Sequence, residues 1–162
     1  MKTRDDWRPT TEGVLTQEEI AMLSMHVPEP RSLILVVDDD EVFRKMLTKG
    51  LRENLPYAVE EAANGIEASI RIGAQPPDLL ILDIMMPEMD GLELCKVIRK
   101  DPNLANLQVI IVTGFPGHDK VARLANMGFT DVFVKPFDIL RLFRTVDRML
   151  QRPYATSSDG KY

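Results

Sequence analysis

The stretch Leu33-Ile34-Leu35-Val36-Val37-Asp38-Asp39-Asp40 places five consecutive apolar residues directly before three carboxylates. A short, uninterrupted apolar run rich in branched side chains predicts a strand that is buried on both faces, as in a parallel sheet. The same pattern recurs where Leu79-Leu80-Ile81-Leu82 runs into Asp83. We therefore predict two buried strands that carry acidic side chains at their carboxyl ends.

Strands of this kind alternate with segments of helical periodicity along the chain. The predicted strands cover residues 33–37, 57–62, 79–82, 109–112 and 132–134. The predicted helices cover residues 41–51, 66–72, 91–99, 118–127 and 139–150. We expect Gly73 and Gly128 to end the second and fourth helices, and Asp138 to cap the last one. Five strands alternating with five helices predict an α/β fold with a doubly wound parallel sheet.

Apolar residues at helical spacing indicate which helix faces pack against this sheet. The first helix carries Val42, Phe43, Met46, Leu47 and Leu51 at this spacing. The last helix carries Ile139, Leu142, Phe143, Val146 and Leu150. We expect both sets to face the sheet.

Two proline-containing junctions divide the chain into three parts. We expect residues 1–31 to form an N-terminal extension with a short helix, residues 32–151 to form the domain, and residues 152–162 to form a disordered tail. Thr16 and Glu19 have the spacing of a capping box at the start of the short helix. A helix of this length is not stable alone in water, so we expect it to extend the core, to mediate a dimer contact or to dock on a protein surface such as the domain's own output face.

Composition narrows the classes of partner. The chain has 20 Lys and Arg residues against 25 Asp and Glu residues, a net charge of −5 at pH 7. Binding to nucleic acid or to an anionic membrane needs a basic face, so we expect neither. Cys95 is the single cysteine, which excludes an internal disulfide and favours a reducing compartment. No apolar run approaches the length of a membrane span, and we expect a cytoplasmic protein.

The residues that end the predicted strands point to chemistry, because ligands of a doubly wound sheet bind beyond the carboxyl ends of its strands. These ends carry the acidic run, Asp83, Thr113 and Lys135. Converging carboxylates repel one another unless a cation compensates, and oxygen ligands suit Mg²⁺ or Mn²⁺. An aspartate can act as a nucleophile toward a phosphoryl group, whose oxygens an ammonium and a hydroxyl can stabilise. Asp40 is better explained as the cap of the first helix.

Five motifs in this order resemble the receiver domain of two-component response regulators. They are Ile34-Leu35-Val36-Val37-Asp38-Asp39, Glu60-Glu61-Ala62-Ala63-Asn64-Gly65, Leu82-Asp83-Ile84-Met85-Met86-Pro87-Glu88-Met89-Asp90-Gly91, Ile111-Val112-Thr113-Gly114 and Val134-Lys135-Pro136-Phe137. The resemblance covers about residues 32–151 and implies a five-stranded, flavodoxin-like (βα)5 fold.

The resemblance also implies roles for individual residues. Asp83 would be the phosphoacceptor, with Asp38 and Asp39 as the acidic pair that organises the cation. Met85 would offer its backbone carbonyl to the metal. Thr113 would be the switch hydroxyl and Lys135 the phosphate partner, followed by a cis peptide bond before Pro136.

A receiver domain takes its phosphoryl group from a phosphohistidine on a histidine kinase or a phosphotransfer protein, in a step that needs Mg²⁺. It catalyses its own phosphorylation and dephosphorylation, is not otherwise an enzyme, and signals through altered contacts with a downstream protein. The resemblance therefore implies these partners. The sequence names neither the kinase nor the target, and it leaves homodimer formation open.

The chain departs from the family pattern at several positions. The aromatic residue that usually stands three positions before the lysine is replaced by Val132. We expect the neighbouring Phe133 to face the other side of the strand, since side chains alternate. Phe129 replaces a residue that is usually small. In receivers the residues two positions after the phosphoacceptor and two after the switch threonine border the path of attacking water. The resemblance places Met85 and Phe115 at these positions, and neither can orient a water, which predicts slow loss of the phosphoryl group.

Two other functions compete with this interpretation. Val37-Asp38-Asp39-Asp40-Glu41-Val42 also resembles the nucleophile motif of haloacid-dehalogenase-type phosphatases. That family needs a later acidic pair after another strand, which is not found beyond Lys135, and it leaves Asp83 unexplained. The other alternative is a receiver that serves as an unphosphorylated interaction module, against which the complete acidic set argues.

Overall fold

The computed structural model describes residues 32–87 and 90–151, together with Gln17. The chain divides into two compact units, Met1–Pro30 and Arg31–Tyr162. The expected N-terminal helix, apart from Gln17, and the expected tail lie outside the described residues.

Five strands and five helices alternate in the described domain. The strands are β1 (Leu33–Val37), β2 (Ala58–Ala62), β3 (Leu79–Asp83), β4 (Gln108–Thr113) and β5 (Val132–Val134). The helices are α1 (Glu41–Asn54), α2 (Gly65–Ala74), α3 (Gly91–Lys100), α4 (Asp119–Asn126) and α5 (Ile139–Leu150), with a 3₁₀ turn at Pro102–Leu104. This order confirms the predicted alternation.

The strands form one parallel sheet in the order β2-β1-β3-β4-β5. The strand order reverses between β1 and β3, so the two acidic strand ends lie side by side. In the pairing of these strands, Val37 lies beside Leu82, one residue before Asp38 and Asp83 respectively. The topology thus brings residues from distant parts of the sequence to one edge of the sheet.

Helices cover both faces of the sheet. One core contains buried side chains of α1 and α5, and the other contains buried side chains of α2, α3 and α4. Every residue of β1 and β3 is buried. This is why both strands read as continuous apolar runs up to their acidic ends.

Each helix begins at a side chain that accepts a hydrogen bond from a backbone N–H in its first turn. The N-cap residues are Asp40, Asn64, Asp90, His118 and Asp138. Gly128, just beyond α4, has a φ of +88°, a conformation that favours glycine, as its predicted position after the helix requires.

Two sequence predictions about helices were wrong. Val42 and Met46 of α1 are 81% and 55% exposed, and the buried side of the helix carries Arg44 and Thr48 beside its leucines. Arg44 can be buried because the Asp38 backbone carbonyl and the Glu61 carboxylate pair with its guanidinium. The apolar spacing within α1 does not reveal these partners. Gly73 does not end α2, which continues to Ala74 with Gln75 as its C-cap.

Candidate functional site

Three carboxylates meet at the edge where β1 and β3 end. Asp38, Asp39 and Asp83 each offer one oxygen, and these oxygens all lie within 4.8 Å of one another. Asp38 and Asp83 are buried, whereas Asp39 is exposed. The structure therefore brings together the three aspartates that the sequence predicts as a cation site.

Lys135 lies between two of these carboxylates. Its Nζ is 2.7 Å from Asp38 Oδ2 and 3.2 Å from Asp83 Oδ2. Burial alone would lower the pKa of the Lys135 ammonium, but the hydrogen bonds and charges of both aspartates raise it above its ordinary value. Lys135 is therefore held as a cation at the acidic site.

Backbone N–H groups orient the two buried carboxylates. The N–H of Asp40 donates to Asp38 Oδ1 at 2.9 Å, and the N–H of Met85 donates to Asp83 Oδ1 at 2.8 Å. Burial raises the pKa of Asp38 and the charge of Asp83 adds to this rise, although Lys135 and the Asp40 N–H oppose it. The Asp39 carboxylate makes no hydrogen bond or ion pair within residues 32–87 and 90–151, so it is free to bind a cation.

Thr113 ends β4 and is completely buried. Its Oγ1 accepts a hydrogen bond from the Phe115 N–H at 3.0 Å, and its backbone carbonyl accepts from the Lys135 N–H at 2.8 Å. Thr113 thus lies beside the lysine on the neighbouring strand end, and its hydroxyl donates to no group within residues 32–87 and 90–151. The peptide bond between Lys135 and Pro136 is cis, as the resemblance implied.

Asp40 has the helix-capping geometry that the sequence predicts. Its Oδ1 accepts from the Phe43 N–H at 3.0 Å, and it is not one of the three clustered aspartates. The acidic run is therefore divided between two structural roles, because Asp38 and Asp39 face the site while Asp40 starts α1.

Val132, which stands where the family usually has an aromatic residue, and its neighbour Phe133 pack on opposite faces of the sheet. Val132 packs against the core of α2, α3 and α4, whereas Phe133 is buried in the core of α1 and α5. The predicted alternation of these side chains is confirmed. Phe129 is buried, with the Arg99 guanidinium carbon 3.9 Å from its ring centroid.

Sequence reasoning missed two residues that contact the site, Phe43 and Arg44. The Lys135 Nζ lies 4.0 Å from the ring centroid of Phe43, whose ring in turn meets Phe137 edge-on. Arg44 donates to the backbone carbonyl of Asp38 and lies against Glu61, whose pKa is lowered chiefly by its hydrogen bond to Lys45. The available signal was the helical spacing of Arg44 from Leu47 and Leu51, but the apolar residues at the same spacing directed attention to Val42 and Met46.

The site combines carboxylate oxygens that can bind a metal ion, the Lys135 ammonium and the nucleophile candidate Asp83. A set of hard carboxylate oxygens fits a divalent cation such as Mg²⁺. A buried aspartate beside a lysine ammonium fits acceptance of a phosphoryl group. The ammonium and a bound divalent cation would together offset the added negative charge.

Comparison with known proteins decides the family. The family model described as the response regulator receiver domain matches residues 34–147. The chain belongs to this family. It is a receiver domain of two-component signalling, and a phosphoacceptor role fits this membership. The phosphatase alternative is not favoured.

Curated relatives and solved structures agree with this assignment. Response regulator MprA of Mycobacterium avium (strain 104) is 38% identical over 120 residues, which are 74% of this chain and 51% of the relative. Response regulator MprA of Mycobacterium tuberculosis (strain ATCC 25618 / H37Rv) is also 38% identical, over 74% of this chain and 50% of the relative. The chain therefore spans about half the length of the curated relatives it matches.

Two solved structures share the fold. The signal receiver domain of a DNA-binding response regulator from Colwellia psychrerythraea 34H has a TM-score of 0.69 and 34% identity, covering 75% of this chain and 99% of that chain. The Vibrio cholerae chemotaxis protein CheY4 has a TM-score of 0.67 and 31% identity, covering 74% and 99%. These likenesses confirm the predicted flavodoxin-like sheet.

Among the described helices, none is both long and apolar enough to cross a membrane.

Proposed function

We propose that Asp83 accepts a phosphoryl group from a phosphohistidine on a histidine kinase or a phosphotransfer protein. The observation that carries this proposal is the convergence of Asp83 with two further aspartates and the Lys135 ammonium. An Asp83 carboxylate oxygen would attack the phosphorus as the bond from phosphorus to the imidazole nitrogen breaks. The nitrogen keeps the electron pair and takes up a proton, and Asp83 carries an acyl phosphate.

A cation held by Asp38, Asp39, Asp83 and the backbone carbonyl of Met85 would assist this transfer. The hard oxygen donors and their close spacing support Mg²⁺, and Mn²⁺ would satisfy the same ligands. When bound, the cation would offset negative charge on the transferring oxygens. The domain itself would thus catalyse its phosphorylation and dephosphorylation, without acting as an enzyme on a free substrate.

Lys135 and Thr113 would change their contacts when Asp83 is phosphorylated. The Lys135 ammonium would bind a phosphoryl oxygen in place of the Asp83 carboxylate oxygen. The Thr113 hydroxyl would donate its proton to another oxygen, which changes its contact with the Phe115 N–H. Val132 has no aromatic ring that could move with the Thr113 hydroxyl. The change at Thr113 would therefore alter the surface through the loop that contains Phe115, whose N–H contacts this hydroxyl.

The output would be a contact with a downstream protein. The net charge of −5 on the full chain supports a protein partner over nucleic acid. We place this function in the cytoplasm, where a phosphohistidine donor and Mg²⁺ are available and a single cysteine stays reduced. Self-association into a homodimer is a further outcome that phosphorylation could control.

Acetyl phosphate tests the transfer without a kinase. We expect intact-mass spectrometry to detect one added phosphoryl group when the full chain is incubated with acetyl phosphate and Mg²⁺. Asp83→Asn or chelation of the metal should abolish it. Labelling that survives either change would refute the proposal.

Calorimetric titration with Mg²⁺ tests the ligand assignment. We expect Asp39→Ala to weaken Mg²⁺ binding strongly, because its carboxylate faces the site. Asp40→Ala is the matched control, since Asp40 caps α1 and should affect helix stability alone. Equal weakening of Mg²⁺ binding by both variants would show that the ligands are assigned wrongly.

A further inference from the structure

Arg44 is a charged residue buried in the second turn of α1. Only 8% of its surface is exposed, and buried arginines are rare unless their guanidinium is paired. Among the described residues, its guanidinium contacts the Asp38 backbone carbonyl and Glu61 and none of the three site carboxylates. Its contacts indicate a different role.

The guanidinium connects α1 with the ends of two strands. Its Nη1 donates to the backbone carbonyl of Asp38 at 2.7 Å. Its Nε lies 3.3 Å from Glu61 Oε2 on β2, and the Lys45 Nζ holds the other oxygen of Glu61 at 2.6 Å. Glu61 pairs with Val36 of β1, so this contact crosses from α1 to the strand beside the site.

Anchoring the Asp38 carbonyl fixes the direction in which the chain leaves β1. The peptide bond is planar, so the carbonyl of Asp38 and the nitrogen of Asp39 move together. The Asp38 carboxylate has its own supports, from Lys135 and from the Asp40 N–H. The Asp39 carboxylate has no such support among the described residues, so its direction depends on the backbone and on its own side-chain torsions.

We propose that Arg44 is a positioning residue for the cation site, which holds the Asp38–Asp39 peptide so that the Asp39 carboxylate faces the cation. This inference rests on the proposed function, because it assumes that Asp39 binds Mg²⁺. Arg44 acts through the orientation of the peptide and touches no reacting atom. Lysine cannot replace it fully, because a single ammonium lacks the planar fork that reaches both the carbonyl and Glu61.

Mg²⁺ affinity measured by calorimetry on the full chain tests this role. We expect Arg44→Met to weaken Mg²⁺ binding by about 10- to 100-fold, as is typical when a group that orients a metal ligand is removed. Arg44→Lys should fall between this variant and the wild type. Arg52→Met is the matched control, because Arg52 of the same helix donates to the Val59 carbonyl at 2.7 Å, on the strand β2.

A double-mutant cycle separates positioning from general stabilisation. If Arg44 acts through Asp39, then Arg44→Met should weaken Mg²⁺ binding no further in a chain that already carries Asp39→Ala. Equal weakening in both backgrounds would overturn the proposal, as would wild-type Mg²⁺ affinity in folded Arg44→Met.

A variant that fails to fold and a wild-type chain that fails to bind Mg²⁺ lead to different conclusions. If Arg44→Met does not fold, Arg44→Lys and Glu61→Gln are compared in the same cycle, and wild-type affinity in both would overturn the proposal. Absence of Mg²⁺ binding by the wild-type chain would refute the metal site of the proposed function itself. The failure of the site and the failure of the positioning role are therefore distinguishable.

Discussion

Gly91→Ala should destabilise the domain, because the first residue of α3 has no room for a side chain. A Cβ at this position would lie 2.8 Å from the Ile84 Cα and 3.2 Å from the Asp83 carbonyl oxygen. Both neighbours are backbone atoms, of the last residue of β3 and of the residue after it, so rotation of a side chain cannot relieve the overlap. Overpacking costs about 1–3 kcal/mol, and alanine's better helix propensity returns up to about 1 kcal/mol. We expect a net loss of about 1–2 kcal/mol in the free energy of unfolding.

Gly73→Ala is the matched control for this substitution. Gly73 lies in the last turn of α2, and a Cβ there would meet nothing within 4 Å. The control should therefore gain about 0.5–1 kcal/mol. Urea unfolding followed by far-ultraviolet circular dichroism measures both variants. If Gly91→Ala is as stable as the wild type while Gly73→Ala gains stability, the argument from close backbone contact is refuted.

Three further predictions concern the site and the core. Phe43→Leu removes the ring beside the Lys135 ammonium, a contact worth about 0.5–2 kcal/mol, and should slow phosphorylation by acetyl phosphate several-fold; an unchanged rate would contradict this. Burial raises the pKa of the Cys95 thiol to about 12, so a thiol reagent at pH 8 should label only the unfolded protein, and rapid labelling of the native protein would show that Cys95 is accessible. Met85→Asn/Phe115→Glu should shorten the half-life of the phosphorylated protein, because the wild-type side chains cannot orient water; equal or slower loss would exclude this explanation.

The central strands could be predicted from the sequence because their burial leaves little choice of residue. Leu33–Val37 was predicted to the residue, since both of its faces contact helices and only apolar side chains fit there. The grouping of Asp38 with Asp83 follows from the same logic. Parallel strands place their carboxyl ends at one edge, and the switch in strand order brings β1 beside β3.

The inner face of α1 could not be predicted in the same way. Hydrophobic spacing favoured Val42 and Met46, yet the structure buries Arg44 and Thr48. Burial of Arg44 depends on the Asp38 carbonyl and on Glu61, which belong to other elements. A pattern within one helix carries no information about such partners. The roles of the individual site residues likewise remain predictions, since they concern chemistry rather than position.

The most direct test of the account is to locate the acyl phosphate in the phosphorylated chain. Borohydride reduces an aspartyl phosphate to homoserine, which peptide mass spectrometry assigns to a residue. After incubation with a phosphohistidine donor and Mg²⁺, we predict homoserine at position 83 alone, and none in the Asp38-Asp39-Asp40 run. Homoserine within that run, or phosphorylated protein with no homoserine at position 83, would contradict the assignment of Asp83 as the phosphoacceptor.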